Sequence, residues 1–133
     1  MSSFEHLEEM FRAFPGIGPR QARRFVYFLI GRDDAFRKDL ARHVGELGAG
    51  IAQCSKCFRF YTKNGRDEGK CIICSNNTRD SHTLLIVEKD VDIEMIERSG
   101  YKGLYFVLGG TIPLATEKPE EYARLPKLQK RIE

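Results

Sequence analysis

The sequence predicts an α+β protein with three parts: an N-terminal helix-hairpin-helix, a four-cysteine metal knuckle and a βαβ segment. Three observations carry this reading. Pro15-Gly16-Ile17-Gly18-Pro19 separates two amphipathic stretches. Cys54-x-x-Cys57 and Cys71-x-x-Cys74 form two knuckles with thirteen residues between them. Two apolar runs of strand length, 83–87 and 103–108, flank a helix pattern. The expected division is 1–53, 54–81 and 82–133.

Ser2 and Glu5 have capping-box spacing, so a first helix should open near Ser3. Phe4, Leu7, Phe11 and Phe14 then recur at helical spacing. Pro19 suits the first turn of a second helix, which should run to about Ile30. Asp33 or Asp34 should start a third helix, with Phe36, Leu40, Val44 and Leu47 facing inward. Residues 54–77 are short on helix pattern. The runs at 83–87 and 103–108, with a helix over 91–99, suggest a buried parallel pair with a crossover. The tail from Pro119 to Glu133 reads as helix interrupted at Pro126.

The 133 residues are 41% hydrophobic and 31% charged, which fits a folded protein and not a disordered one. No apolar run reaches membrane-spanning length. The N-terminus lacks a basic region followed by an apolar core, so a cytoplasmic location is expected. The net charge of +3 is modest, but its distribution is uneven. Between Glu9 and Asp33 there is no acidic residue, while Arg12, Arg20, Arg23, Arg24 and Arg32 all fall there. Such a field suits a polyanion, although a merely solvated basic face would look the same.

The hairpin sharpens the choice. Glycines at 16 and 18 permit a tight turn and close approach of another chain. Backbone N–H groups opening the second helix point outward at the positive end of its dipole, where a phosphate fits. Arg20, Arg23, Arg24 and Tyr27 share one face of that helix, whereas Ala22, Phe25, Val26 and Leu29 share another. The expected DNA-binding residues are therefore Gly16, Gly18, Arg20, Arg23 and Arg24. An ordinary helix corner with Gly and Pro as breakers is the plainer reading.

Paired Cys-x-x-Cys motifs can surround one tetrahedral zinc, leaving no coordination position for water. A structural Zn²⁺ on Cys54, Cys57, Cys71 and Cys74 is expected, one per chain. Disulfides, a redox dithiol or an iron–sulfur cluster are the alternatives. Glu88 directly follows a strand, where parallel sheets bind ligands. A single carboxylate is not a metal site, and Asp90 and Asp92 are placed to cap the next helix.

Together these motifs resemble the RecR family of bacterial recombination mediators. Phe14 through Arg24 resembles its hairpin, and the paired cysteines resemble its zinc finger. Leu85-Ile86-Val87-Glu88 through Asp92, Glu97, the segment Gly103–Gly110 and Pro113-Leu114 resemble the first half of its Toprim domain. The C-terminal part of the pattern, including a later acidic pair, is absent, as in a fragment or a reduced form. The resemblance implies a non-enzymatic DNA-binding protein of recombinational repair that forms a ring or clamp. It would act with RecO and RecF in loading RecA at gaps. It also implies DNA contacts by Arg20 and Arg24, and a homo-oligomer, at least a dimer through the N-terminal helices. Partner contacts would fall on Glu88 and Asp92. Two rivals remain: a Toprim-type, Mg²⁺-dependent nucleotidyl transferase or nuclease using Glu88, and a zinc-stapled module binding protein only.

Overall fold

A computed structural model describes residues 1–63 and 68–133. The candidate finger 54–81 therefore includes four residues, 64–67, that lie outside the described residues. The chain forms two compact units, Met1–Leu47 and Gly48–Glu133.

In the first unit, α1 (Ser3–Arg12) opens on Ser2, whose hydroxyl accepts the Glu5 N–H at 3.3 Å. Helix α2 (Pro19–Ile30) opens with Pro19 in its first turn. Both boundaries agree with the sequence pattern. The two helices pack through Ala22 and Val26, which are buried, with Phe25 and Leu29 half-buried beside them. Phe11 meets Phe25 edge to face at 5.5 Å. Half-buried aromatic side chains thus border a small aliphatic core, and such pairs contribute about 1 kcal/mol beyond their buried area.

Helix α3 (Asp34–Gly50) runs through Gly45 and Gly48 to its end. Its first turn is tied to α2 by Arg37, which donates to the Leu29 carbonyl at 3.0 Å, and by an edge contact between Phe28 and Phe36. Beyond that turn, the expected inward face does not form. Leu40, Val44 and Leu47 are 40%, 59% and 60% exposed. The spacing is that of a buried face, but no element of this unit lies against it.

The second unit begins with an antiparallel pair, β1 (Ile51–Gln53) and β2 (Phe60–Thr62), that the sequence pattern does not announce. Each strand is too short to show alternation. The pair brackets the first knuckle. A short helix, α4 (Ile72–Ser75), carries the second. Strands β3 (Asp80–Val87) and β4 (Gly103–Val107) are parallel and joined by α5 (Asp90–Arg98), as expected. In register, Leu85 pairs with Tyr105, Ile86 with Phe106 and Val87 with Val107.

Gly103 is the one strand position where a side chain has no room. A Cβ there would stand 2.8 Å from the Thr83 carbonyl and closer still to the Tyr101 ring. After a 3-10 turn at Pro119–Glu121, α6 (Leu125–Ile132) closes the unit. Pro126 does not interrupt this helix; it lies in the first turn, where its missing N–H has no cost.

One core unites the cysteines and the βαβ segment. Cys54, Cys57, Cys71, Ile73, Val87, Ile93, Tyr105 and Val107 form a single buried cluster. The Val107 N–H donates to the Cys57 carbonyl at 2.8 Å, so the first knuckle is hydrogen-bonded to the end of β4. No helix among the described residues is long and apolar enough to cross a membrane.

Candidate functional site

The hairpin is built by its backbone. Gly16 has φ +76°, a left-handed conformation that side-chain-bearing residues rarely adopt. Ile17 is half-buried, and its N–H donates to the Phe14 carbonyl at 3.2 Å. Gly18 is the N-cap of α2 with extended geometry, φ −88° and ψ 178°, so its lack of a side chain is not required by conformation. A Cβ built there meets nothing within 4 Å. The space over the helix start is open. The Gly18 carbonyl accepts the Ala22 N–H at 3.0 Å, and no capping side chain reaches the preceding amides.

Arg20, Arg23 and Arg24 are all exposed on α2. Their surroundings differ. Arg23 leans back over α1, 3.8 Å from a Glu8 carboxylate oxygen and 5.6 Å from the Phe4 ring centre. Arg24 donates to the Gln21 side chain at 3.3 Å. Among the described residues, neither Arg20 nor Arg24 has an acidic partner. Two exposed arginines without acidic partners among these residues therefore stand in the first two turns of a helix whose N-terminus is open.

The four cysteines converge. Their sulfurs all lie within 4.8 Å of one another, and Cys57 Sγ stands 3.7 Å from Cys71 Sγ. A disulfide needs about 2.05 Å. A metal about 2.3 Å from each of four tetrahedral sulfurs spaces them about 3.8 Å apart. The observed separation fits a tetrathiolate cage, and the four residues can hold a metal ion. Backbone amides already point at the sulfurs. Cys54 Sγ accepts from Lys56 and Cys71 at 3.4 and 3.3 Å, and Cys71 Sγ accepts from Cys74 at 3.5 Å.

The thiols share protons unequally. Hydrogen bonds with Cys71 and Cys74, then burial, push Cys57 far above the usual thiol range. Hydrogen bonds with Cys57 and Cys74 hold Cys71 far below it. A divalent ion replaces those shared protons directly.

Glu88 is exposed just past β3. Asp92 accepts the Lys89 N–H at 3.1 Å and so caps α5. Asp90 has a different task from capping: it accepts the Phe60 N–H at 2.7 Å and ties β2 to α5. Among the described residues, the cysteines are the sole group of three or more His, Cys, Asp or Glu placed to share a metal ion.

Two arrangements escape a sequence reading. Arg79, just before β3, pairs with Glu97 and donates to the Tyr101 carbonyl at 2.8 Å. Tyr105 donates to the other Glu97 oxygen at 2.7 Å. The second arrangement joins α6 to the first knuckle: Arg124 and Lys127 sit 5.3 and 4.8 Å from the centre of the Phe58 ring. Its one linear signal is the acid-free stretch between Glu121 and Glu133.

Residues 4–46 match the family model described as RecR, helix-hairpin-helix, and residues 82–132 match the Toprim domain model. The chain is 39% identical over 131 residues to the Recombination protein RecR of Rickettsia typhi, covering 98% of this chain and 63% of that one. It is 35% identical to the protein of that name from Bifidobacterium longum subsp. infantis, covering 98% and 64%. Identity to that of Ureaplasma parvum is 31%, covering 97% and 62%. The chain thus spans somewhat under two thirds of the length of these relatives. Both models fall in register with the hairpin and the βαβ segment, with the cysteine cage between them, and the chain is similar to RecR proteins over 97–98% of its length.

Proposed function

We propose that this chain binds DNA through the hairpin at the start of α2, contacting phosphates rather than bases, and serves recombinational DNA repair without catalysis of its own. One observation carries the reading: Arg20 and Arg24, without acidic partners among the described residues, are exposed in the first two turns of α2, whose start at Gly18 is open and uncapped. Phosphate oxygens are acceptors that match both amides and guanidinium groups. Gly16 sets the turn, Gly18 leaves the approach open, and Arg23 contributes charge from beside Glu8. The relatives' name supports the role in recombination.

In the same reading the cysteine cage holds one structural Zn²⁺. With all four positions taken by thiolates, the ion supplies folding energy and no chemistry on a substrate. Glu88, with the Asp92 region, serves contacts with partner proteins; the family resemblance points to RecO and, with it, RecF in the loading of RecA. The exposed stripe Leu40, Val44 and Leu47 supports self-association through the N-terminal helices. A Mg²⁺-dependent reaction at Glu88 gains no support, because Asp90 and Asp92 are engaged by backbone amides.

The test is a salt titration of duplex DNA affinity for the intact chain beside Arg20→Ala/Arg24→Ala. Neither side chain belongs to the buried face, so melting should change by only about 0.5 kcal/mol in stability. Loss of two phosphate contacts should flatten the salt dependence by roughly two units of log–log slope. The weakening should be similar on unrelated sequences. Equal affinity and equal melting would remove the hairpin from the DNA site.

A further inference from the structure

In the second unit, α6 carries Arg124 at its N-cap and Lys127, Lys130 and Arg131 within it, with no acid among them. The stripe Arg124, Lys127 and Arg131 recurs at i, i+3 and i+7, which places the three on one face of the helix. That face lies along the first knuckle. Arg131 donates to the Lys56 carbonyl, and Arg124 and Lys127 lie against Phe58. Leu128, on the adjoining face, is buried and holds the helix down.

The anchoring leaves the charge unspent. Arg124 donates to a carbonyl too, that of Val107 at 2.8 Å, so both arginines keep a full positive charge. Among the described residues none of Lys56, Lys127, Lys130 and Arg131 has an acidic partner. Lys56, Lys127 and Lys130 are exposed. One sink for this charge is the cage itself, since four thiolates around a divalent ion leave a net charge of about −2. Lys56, Arg124, Lys127, Lys130 and Arg131 exceed it.

We infer that the face shared by α6 and the first knuckle is a second phosphate-contacting surface for a nucleic-acid backbone, separate from the hairpin. The choice of polyanion rests on the DNA reading of the first unit; the excess of charge does not. A backbone is favoured because it repeats its phosphates, so the several cations of this surface can each meet one. Phe58 is no stacking platform for bases, because Arg124, Lys127 and Phe106 already meet its ring. The surface therefore adds charge contacts without sequence preference.

The test uses the intact zinc-loaded chain and a fluorescently labelled duplex. Lys127→Gln/Lys130→Gln is compared with the unaltered protein and combined with Arg20→Ala/Arg24→Ala. The expected result is a shallower salt dependence, by up to about two units of slope, in both backgrounds, with zinc content and melting unchanged. If only the arginine pair matters, this inference fails and the hairpin reading stands. If the unaltered protein shows no salt-dependent binding, both fail. Should the lysine variant lose zinc or melt early, acetylation of the unaltered protein decides. Protection of Lys127 and Lys130 by duplex supports the surface. Equal acetylation with and without duplex, or protection by an acidic peptide alone, overturns it.

Discussion

Stripping the metal from the cysteine cage is expected to unfold residues 48–133 as a unit. Three of the four cysteines belong to the same buried cluster as Val87, Ile93, Tyr105 and Val107, so the cage is part of the core and not an appendage. Without an ion, thiols that share protons at van der Waals range replace a bonded centre. The strands β1 and β2 have three residues each and cannot hold the knuckle by themselves. Structural zinc typically contributes about 10–16 kcal/mol to small domains, more than the total stability of most domains. A chelator titration followed by tyrosine fluorescence and far-ultraviolet circular dichroism checks this. Loss of strand signal in step with metal release is the expected outcome. A protein that keeps its melting transition with reduced, metal-free thiols would show that the cage is dispensable.

Arg79→Ala is expected to be the most damaging single charge removal. Arg79 is 12% exposed and bridges the start of β3 to α5 through Glu97 and to the following loop through the Tyr101 carbonyl. Its removal leaves a carboxylate, 31% exposed, with Tyr105 as its remaining hydrogen-bond donor. Breaking one side of such a pair costs about 3 kcal/mol, the lower end of the range, given that partial exposure. For a unit of this size that lowers Tm by roughly 15 °C.

The pH dependence has a definite sign. Burial, the largest single influence, pushes Glu97 upward, but the hydrogen bonds from Arg79 and Tyr105 outweigh it and hold the carboxyl below its usual range. A depressed value means that the folded state binds the Glu97 proton less readily than the unfolded chain. The stabilisation is therefore present above the unfolded value, about 4.3, and is lost as pH falls through the lower folded value. Glu97→Gln should be less stable than the unaltered protein at neutral pH and converge with it in acid. A constant difference across pH would mean that packing, not charge, accounts for the loss.

What the linear sequence disclosed follows from the range of each interaction. Pro19 at the start of α2, the Ser2 cap and the cysteine spacing are local chemistry, legible within a few residues. The parallel pair β3–β4 was legible because both strands are apolar runs with a helix between. The face of α3 was misread because periodicity reports which residues share a side, not whether anything covers it. Pro126 was read as a break because its effect depends on where the helix begins. Arg79 with Glu97, and α6 with Phe58, join residues 18 and 66–69 positions apart. No pattern in either segment names the other.

The most direct measurement on the hairpin itself changes no charge. Gly18 has an extended backbone and open space where a Cβ would stand, so Gly18→Ala should fold and melt as the unaltered protein does. If a phosphate sits against the amides opening α2, the added methyl stands in its path. Loss of a charge-assisted backbone contact is worth about 1.5–3 kcal/mol, or roughly a tenfold or greater fall in duplex affinity at fixed salt. That fall, with unchanged melting and metal content, is the predicted result. Undiminished affinity in Gly18→Ala would contradict the placement of DNA at the start of α2.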